Sequence, residues 1–130
     1  VAGQDFSDSI REYVSDWSLR SGIAFNIDIE GNDELSPGTR ETLFRITQEA
    51  LANISRHSSA SCVEISLEHE TGMVKMIIKD DGHGFDIHMQ HSGMGLSSMR
   101  ERAEGLGGSF SIESAPEQGT KIMVTIPRLI

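Results

Sequence analysis

The sequence predicts an α+β fold, a two-layer α/β sandwich in which a mixed five-stranded sheet carries three helices on one face. Three observations lead there. Five short segments alternate apolar with polar or small residues, the period of a half-buried strand, and three others repeat apolar residues at helical spacing. Strands adjacent in the chain are hairpin-linked, so the order runs α-β-α-β-β-α-β-β rather than in the strict alternation of a doubly wound fold.

The first helix is expected over Phe6 to Leu19, where Phe6, Ile10, Val14 and Trp17 fall on one face. Gly22 ends it, because glycine closes a helix in the left-handed conformation at no steric cost. Ile23, Phe25, Ile27 and Ile29 then alternate as a strand, and Gly31-Asn32-Asp33 makes the following turn. Ser36-Pro37 opens the second helix, with serine as the cap and proline at the first helical position, and the helix is expected to run to about His57. Val63, Ile65 and Leu67 form one strand and Val74, Met76 and Ile78 the next, a hairpin across Thr71-Gly72. Asp80 to Phe85 is a glycine-rich loop, and 86–95 has no periodicity. Leu96, Met99, Ala103 and Leu106 mark a short helix ended by Gly107-Gly108. Phe110 and Ile112, then Ile122, Val124 and Ile126, are the last two strands, joined by a turn from Pro116 to Gly119.

Composition narrows the function. A chain of 130 residues fits one domain and can bury a core without disulfides or a structural metal. Aromatic residues are only 5%, so that core is aliphatic. Eleven Lys and Arg against 20 Asp and Glu leave a net charge of −9, which argues against a nucleic-acid or anionic-membrane surface. A polyphosphate ligand stays open, because a cation and backbone N–H groups can supply positive potential locally. No apolar run is long enough to span a membrane and no secretory leader is visible. The start at Val1 rather than Met is what a piece of a longer protein would show. The single cysteine, Cys62, reads as a small buried hydrophobe, in keeping with a cytoplasmic setting.

Four features can carry chemistry. At ~100° per residue, Leu43, Thr47, Ala50, Leu51 and Ile54 share the core sector of the second helix, while Glu49, Asn53 and Arg56 share a polar one, with His57 at the border. On such a stripe a carboxylate can orient a nucleophile, an amide oxygen can ligate Mg²⁺ and a guanidinium can meet phosphate. The same stripe is also what a solvated face looks like. Asp80-Asp81-Gly82-His83-Gly84-Phe85 follows a strand, so its glycines permit a close backbone approach and its carboxylate can accept from an exocyclic amine. An acidic turn accounts for it equally. Gly93-Met94-Gly95-Leu96-Ser97 opens a helix, where unpaired N–H groups suit phosphate oxygens, although loop flexibility explains the glycines too. Gly119-Thr120, before the last strand, has little specificity alone.

In combination, QEALANISRHSSA (48–60), DDGHGF (80–85), GMGLSSMRERAEGLGG (93–108) and GT (119–120) closely resemble, in order and spacing, the four nucleotide-binding boxes of the histidine-kinase-like (Bergerat-fold) ATPase superfamily. The resemblance covers about Ser7 to Pro127, and its GLSSMRERAEGLGG stretch looks most like sensor kinases of the nitrate/nitrite-sensor type. It implies that residues 1–130 are a single catalytic ATP-binding domain, cytoplasmic and cut from a longer sensor kinase that can be membrane-anchored. ATP and Mg²⁺ are the implied ligands. The partners it implies are a helical dimerisation domain bearing the acceptor histidine and a response regulator with a LuxR-type output domain.

Position by position, the resemblance makes Asp80 the acceptor of the adenine amine, with Gly82 and Gly84 shaping the base pocket. Asn53 would ligate Mg²⁺, and Glu49 would polarise the attacking group. Arg56 stands where a basic residue meets phosphate, and His57 where one flanks the nucleotide. Gly93, Gly95 and Leu96 belong to the lid and phosphate contacts, Thr120 to the rear of the site. The family box is often Asp-Asn-Gly-x-Gly, so Asp81 is a departure, a minor one if Asp80 holds the base. His83, His88 and His91 are expected to be solvated loop residues rather than a metal site. An isolated monomer is expected, since dimerisation belongs to the helical domain. The alternatives are a nucleotide-gated interaction module of the same fold and a serine kinase of the anti-sigma-factor type.

Overall fold

The computed structural model describes residues 6–29, 35–84 and 95–128. The Gly31-Asn32-Asp33 turn, Gly93, His88 and His91 lie outside them. Helix α1 covers Phe6–Ser21 and buries Phe6, Ile10, Val14 and Trp17, the face its periodicity predicts. It ends where Gly22 turns left-handed (φ +76°) and donates to the Ser18 carbonyl at 2.9 Å. Strand β1 (Ala24–Ile29) follows, and then helix α2 (Pro37–Asn53). The Ser36 hydroxyl accepts from the Thr39 N–H at 3.3 Å, the expected cap.

Strands β2 (Cys62–Glu70) and β3 (Met73–Asp80) form the expected hairpin, with Gly72 at φ +75° in its turn. Helix α3 (Leu96–Glu104) leads to β4 (Ser109–Ser114), and β5 (Thr120–Pro127) returns between β3 and β4. The five strands therefore lie in the order β1-β2-β3-β5-β4. Among the described strands only β1 pairs in parallel, with β2. A parallel pair needs a crossover, and α2 supplies it, so the sheet is mixed rather than hairpin-linked throughout. As an edge strand β1 is less covered than its alternation suggests, and Phe25 is 37% exposed.

Inward-facing residues follow the two-residue period of each strand. Val63, Ile65 and Leu67, then Val74, Met76 and Ile78, then Ile122, Val124 and Ile126 are all buried. They meet Leu43, Ile46, Ala50 and Leu51 of α2 and Met99 and Ala103 of α3 in one aliphatic core. The opposite face carries Glu64, Glu68, Lys75, Lys79 and Lys121, so the helices occupy one face. Tyr13 and Phe44 join α1 to α2 edge-to-face at 5.3 Å. Arg100 ties α3 to β4, donating to the Phe110 carbonyl at 3.0 Å and lying over the Phe110 ring.

Two helix ends differ from expectation. The α-helical part of α2 stops at Asn53 and the chain continues as one π-helical turn, Ile54–Ser58, closed by Ser59 in the left-handed conformation. The wider turn shifts the phase of every later side chain. Helix α3 ends at Glu104, so Leu106 falls in the closing turn and is 38% exposed rather than core. The Gly108 N–H then donates to the Ala103 carbonyl, and a Cβ at Gly108 would stand 3.1 Å from that oxygen. Among the described residues no helix is long and apolar enough to cross a membrane.

Candidate functional site

Chain connectivity brings the four sequence features to one end of the sheet. Val63 at the start of β2 and Thr120 at the start of β5 both stand opposite Asp80 at the end of β3. Only Ser59, Ala60 and Ser61 separate the π-helical turn from β2, so the carboxyl end of α2 must lie at that same end. The amino end of α3 arrives there as well, because Gly95 packs on Glu49 of α2.

Asp80 is the inward-facing residue that follows Val74, Met76 and Ile78, which places a carboxylate where the core row would set another aliphatic side chain. It is 5% exposed. One carboxylate oxygen accepts from the Gly82 N–H at 2.8 Å. Burial pushes its pKa up, helped by the neighbouring Asp81 charge and opposed by hydrogen bonds from the backbone N–H groups of Gly82 and Thr120. A carboxylate held so close to solvent exclusion favours a ligand that brings an N–H donor.

The loop after Asp80 is fitted against the β4–β5 turn, backbone on backbone. A Cβ at Gly84 (φ +66°) would fall 2.8 Å from the Gly119 oxygen, and one at Gly119 (φ +74°) 3.3 Å from the Asp80 carbonyl carbon. Both positions therefore require glycine on conformation and on space. The Glu117 N–H donates to the His83 carbonyl across the same gap. Gly82 is buried within the loop. The Thr120 and Ser114 hydroxyls are 2.8 Å apart, and Ser114 also donates to the Gly119 carbonyl at 3.1 Å, so Thr120 braces the turn behind Asp80. His83 points outward, its ring 3.4 Å from the Glu117 carboxylate.

Asp81 faces away from Asp80. Its carboxylate accepts from the Ser61 hydroxyl at 2.6 Å, the Ser61 N–H at 2.8 Å and the Cys62 N–H at 3.0 Å. The Ser61 hydroxyl, then the two backbone donors, hold this carboxyl below the usual range. Neighbouring carboxylates are thus driven in opposite directions, one by burial and one by donors.

On α2, Glu49 and Asn53 are one turn apart on one side, Glu49 half-buried and Asn53 buried. Gly95 caps α3 in the left-handed conformation, and a Cβ there would come 2.7 Å from Glu49 Cδ. The first turn of α3, starting at the partly buried Leu96, therefore meets the Glu49 side chain. Arg56 and His57 are exposed on the π-helical turn, so the structure does not enclose them with Asp80. Among the described residues no cluster of three His, Cys, Asp or Glu is placed to hold a metal. Sequence reasoning missed Ser61 and Ser114. No pattern announces Ser61, whose partner lies 20 residues away, though the unusual Asp81 was a signal, nor Ser114, whose partners lie across the β4–β5 turn.

A family model described as "Histidine kinase-, DNA gyrase B-, and HSP90-like ATPase" matches residues 38–130. The sensor histidine kinase LiaS of Bacillus subtilis is 34% identical over 128 residues, 98% of this chain and 35% of that protein. The kinase/phosphatase DegS of Brevibacillus brevis is 36% identical over 121 residues, 92% of this chain and 31% of that protein. The chain thus spans about a third of the length of these curated relatives. Among solved structures, the histidine kinase domain of the Erythrobacter litoralis EL346 blue-light activated histidine kinase superposes with a TM-score of 0.79 at 18% identity. That match covers 95% of this chain and 61% of the other. The mycobacterial sensor histidine kinase MprB gives 0.71 at 20% identity, covering 95% of each chain. Likeness at such identities shows that the fold is shared.

The raised pKa of Asp80 fixes the sign of a stability effect. Below its unfolded value the acid is neutral in both states; as pH rises through that value toward the folded one, the fold loses stability. Asp80→Asn, which keeps an acceptor for Gly82, is expected to melt about 2–5 °C above the wild type at pH 7. The gain should vanish below about pH 4, near the unfolded pKa. Thermal melts across pH check this, and a less stable variant at pH 7 contradicts it.

Gly95→Ala is expected to cost about 2–3 kcal/mol, combining left-handed strain with the collision on Glu49. In a Glu49→Ala background only the strain, about 1–2 kcal/mol, should remain. Urea unfolding of the four chains measures the coupling, and strict additivity would show that the two residues do not touch.

Proposed function

The chain belongs to the histidine kinase-, DNA gyrase B- and HSP90-like ATPase family, and we propose that residues 1–130 are the catalytic ATP-binding domain of a two-component sensor histidine kinase. In this reading the domain transfers the γ-phosphoryl group of ATP to a histidine on a separate helical dimerisation domain. A response regulator with a LuxR-type output then receives the phosphoryl group. The domain works in the cytoplasm, as part of a longer protein that can be anchored in a membrane. The observation that carries the reading is the buried Asp80 carboxylate at the end of β3, which accepts from the Gly82 N–H where the β2, β3 and β5 ends meet.

Asp80 accepts the exocyclic amine of adenine, and Gly82 and Gly84 shape the base pocket beside it. The triphosphate runs toward the amino end of α3, where the N–H groups near Gly95 and Leu96 offer donors; Gly93 belongs to the same run. Arg56 and His57, exposed on the π-helical turn, flank the phosphates from the other side, so they engage only when nucleotide is present. Thr120 keeps the β4–β5 turn against the adenine loop.

The donor chemistry on α2 fits Mg²⁺, since the Asn53 amide oxygen and the Glu49 carboxylate are hard oxygen ligands one helical turn apart. Asn53 would hold the ion, whose contribution when bound is to neutralise phosphate charge. Glu49 orients the incoming nucleophile and takes up its proton as the bond forms. Most of the rate then comes from positioning, and the acceptor must be brought by the dimerisation domain.

Calorimetric titration of ATP, with and without Mg²⁺, tests the assignment. Asp80→Ala is expected to weaken binding by at least about 100-fold, because a buried donor on the base loses its acceptor. Asn53→Ala should leave Mg²⁺-free binding nearly intact and remove most of the Mg²⁺ enhancement. An Asp80→Ala chain that binds ATP as the wild type does would place the base elsewhere.

A further inference from the structure

The residue beside the proposed base acceptor has no role in that reading, yet its carboxylate takes three hydrogen bonds at this end of the sheet. Asp81 takes hydrogen bonds from Ser61 N, Ser61 Oγ and Cys62 N, and its own N–H donates to the Cys62 carbonyl at 3.4 Å. Ser61 is the last residue of the link from α2 to β2. That link is the most irregular backbone among the described residues: a π-helical turn over Ile54–Ser58, then Ser59 at φ +53°. A left-handed serine and a π turn persist only where their surroundings hold them. At the far end of this link Ser61 and Cys62 donate three bonds to Asp81, and the Ser61 carbonyl accepts from the Ala24 N–H of β1 at 3.0 Å.

The peptide of Asp80 and Asp81 therefore bears on both halves of the site. One side chain turns inward to the base position, and the next grips the link that carries Asn53 and Arg56 into place. We propose that Asp81 is a positioning residue that fixes the α2 end, and with it the metal and phosphate side of the site, relative to the adenine side. This rests on the nucleotide reading above. The strong bonds to its donors keep the carboxylate charged and gripping at ordinary pH.

The role separates phosphate contacts from base contacts, and that separation is the test. In Asp81→Ala, the affinity for Mg²⁺-ATP should fall about tenfold while that for adenosine, held by Asp80, stays within about twofold. Asp81→Asn keeps a carbonyl oxygen for the two backbone donors and should remain within about threefold of the wild type for both ligands. Amide hydrogen exchange without nucleotide should show residues 54–62 opening at least about tenfold more often in Asp81→Ala. If that variant does not fold, Ser61→Ala removes one of the three bonds and should move each quantity the same way by less.

Equal loss of ATP and adenosine, or unchanged exchange at 54–62, overturns the positioning role. A wild-type chain that takes up no ATP overturns the nucleotide reading instead, and the exchange measurement still decides whether Asp81 holds the link.

Discussion

A carboxylate at the end of an aliphatic row is the feature on which the rest of this structure turns. Val74, Met76 and Ile78 point into the core from alternate positions of β3, and the next inward position is Asp80. Strand parity alone sends that side chain under the helices, where its charge is disfavoured. Among the described residues the groups that answer it are backbone N–H donors, from Gly82 and from Thr120. Backbone donors stabilise the carboxylate without neutralising it, so it keeps its capacity to accept a further hydrogen bond.

That arrangement demands close packing of irregular chain. The loop 81–84 and the turn 115–119 meet at distances that only glycine tolerates at positions 84 and 119. Glu117, a left-handed residue with a side chain, is held where its N–H reaches His83. On the other flank, the π-helical turn and left-handed Ser59 are fastened through Ser61 to Asp81. Irregular backbone is thus concentrated around one carboxylate, while the strands leading to it are regular. Such strain is held where a site must be preformed.

Much of this was legible from sequence, and for definite reasons. Helix α1 and the inner strands follow from periodicity because each buries one face, and Ser36-Pro37 marked the start of α2 because capping is local chemistry. Asp80, Gly82 and Gly84 stood out only through the order and spacing of the four boxes, because an acidic glycine turn after a strand reads equally as a plain turn. Parallel pairing of β1 with β2 was not legible, because β1 alternates in the same way whichever direction its neighbour runs. The π-helical turn was also missed: Ile54 to Ser58 has a composition that an α-helix accepts, and the wider turn follows from where β2 must begin. Beyond it the polar stripe that runs from Glu49 to Asn53 is not continued inward, and Arg56 and His57 are exposed. Asp81 read as a minor variation because its partners lie at Ser61 and Cys62, far back along the chain.

Comparing ATP with inosine triphosphate tests most directly whether Asp80 reads an amine. The two differ at the base position where an exocyclic amine is replaced by a carbonyl. A carboxylate facing a carbonyl loses its hydrogen bond and gains repulsion, so the inosine nucleotide should bind at least about 100-fold more weakly. Substituting Asp80 with Asn should narrow the gap, because an amide can donate to the carbonyl. Equal affinities in the wild-type chain would mean that this carboxylate does not face the base.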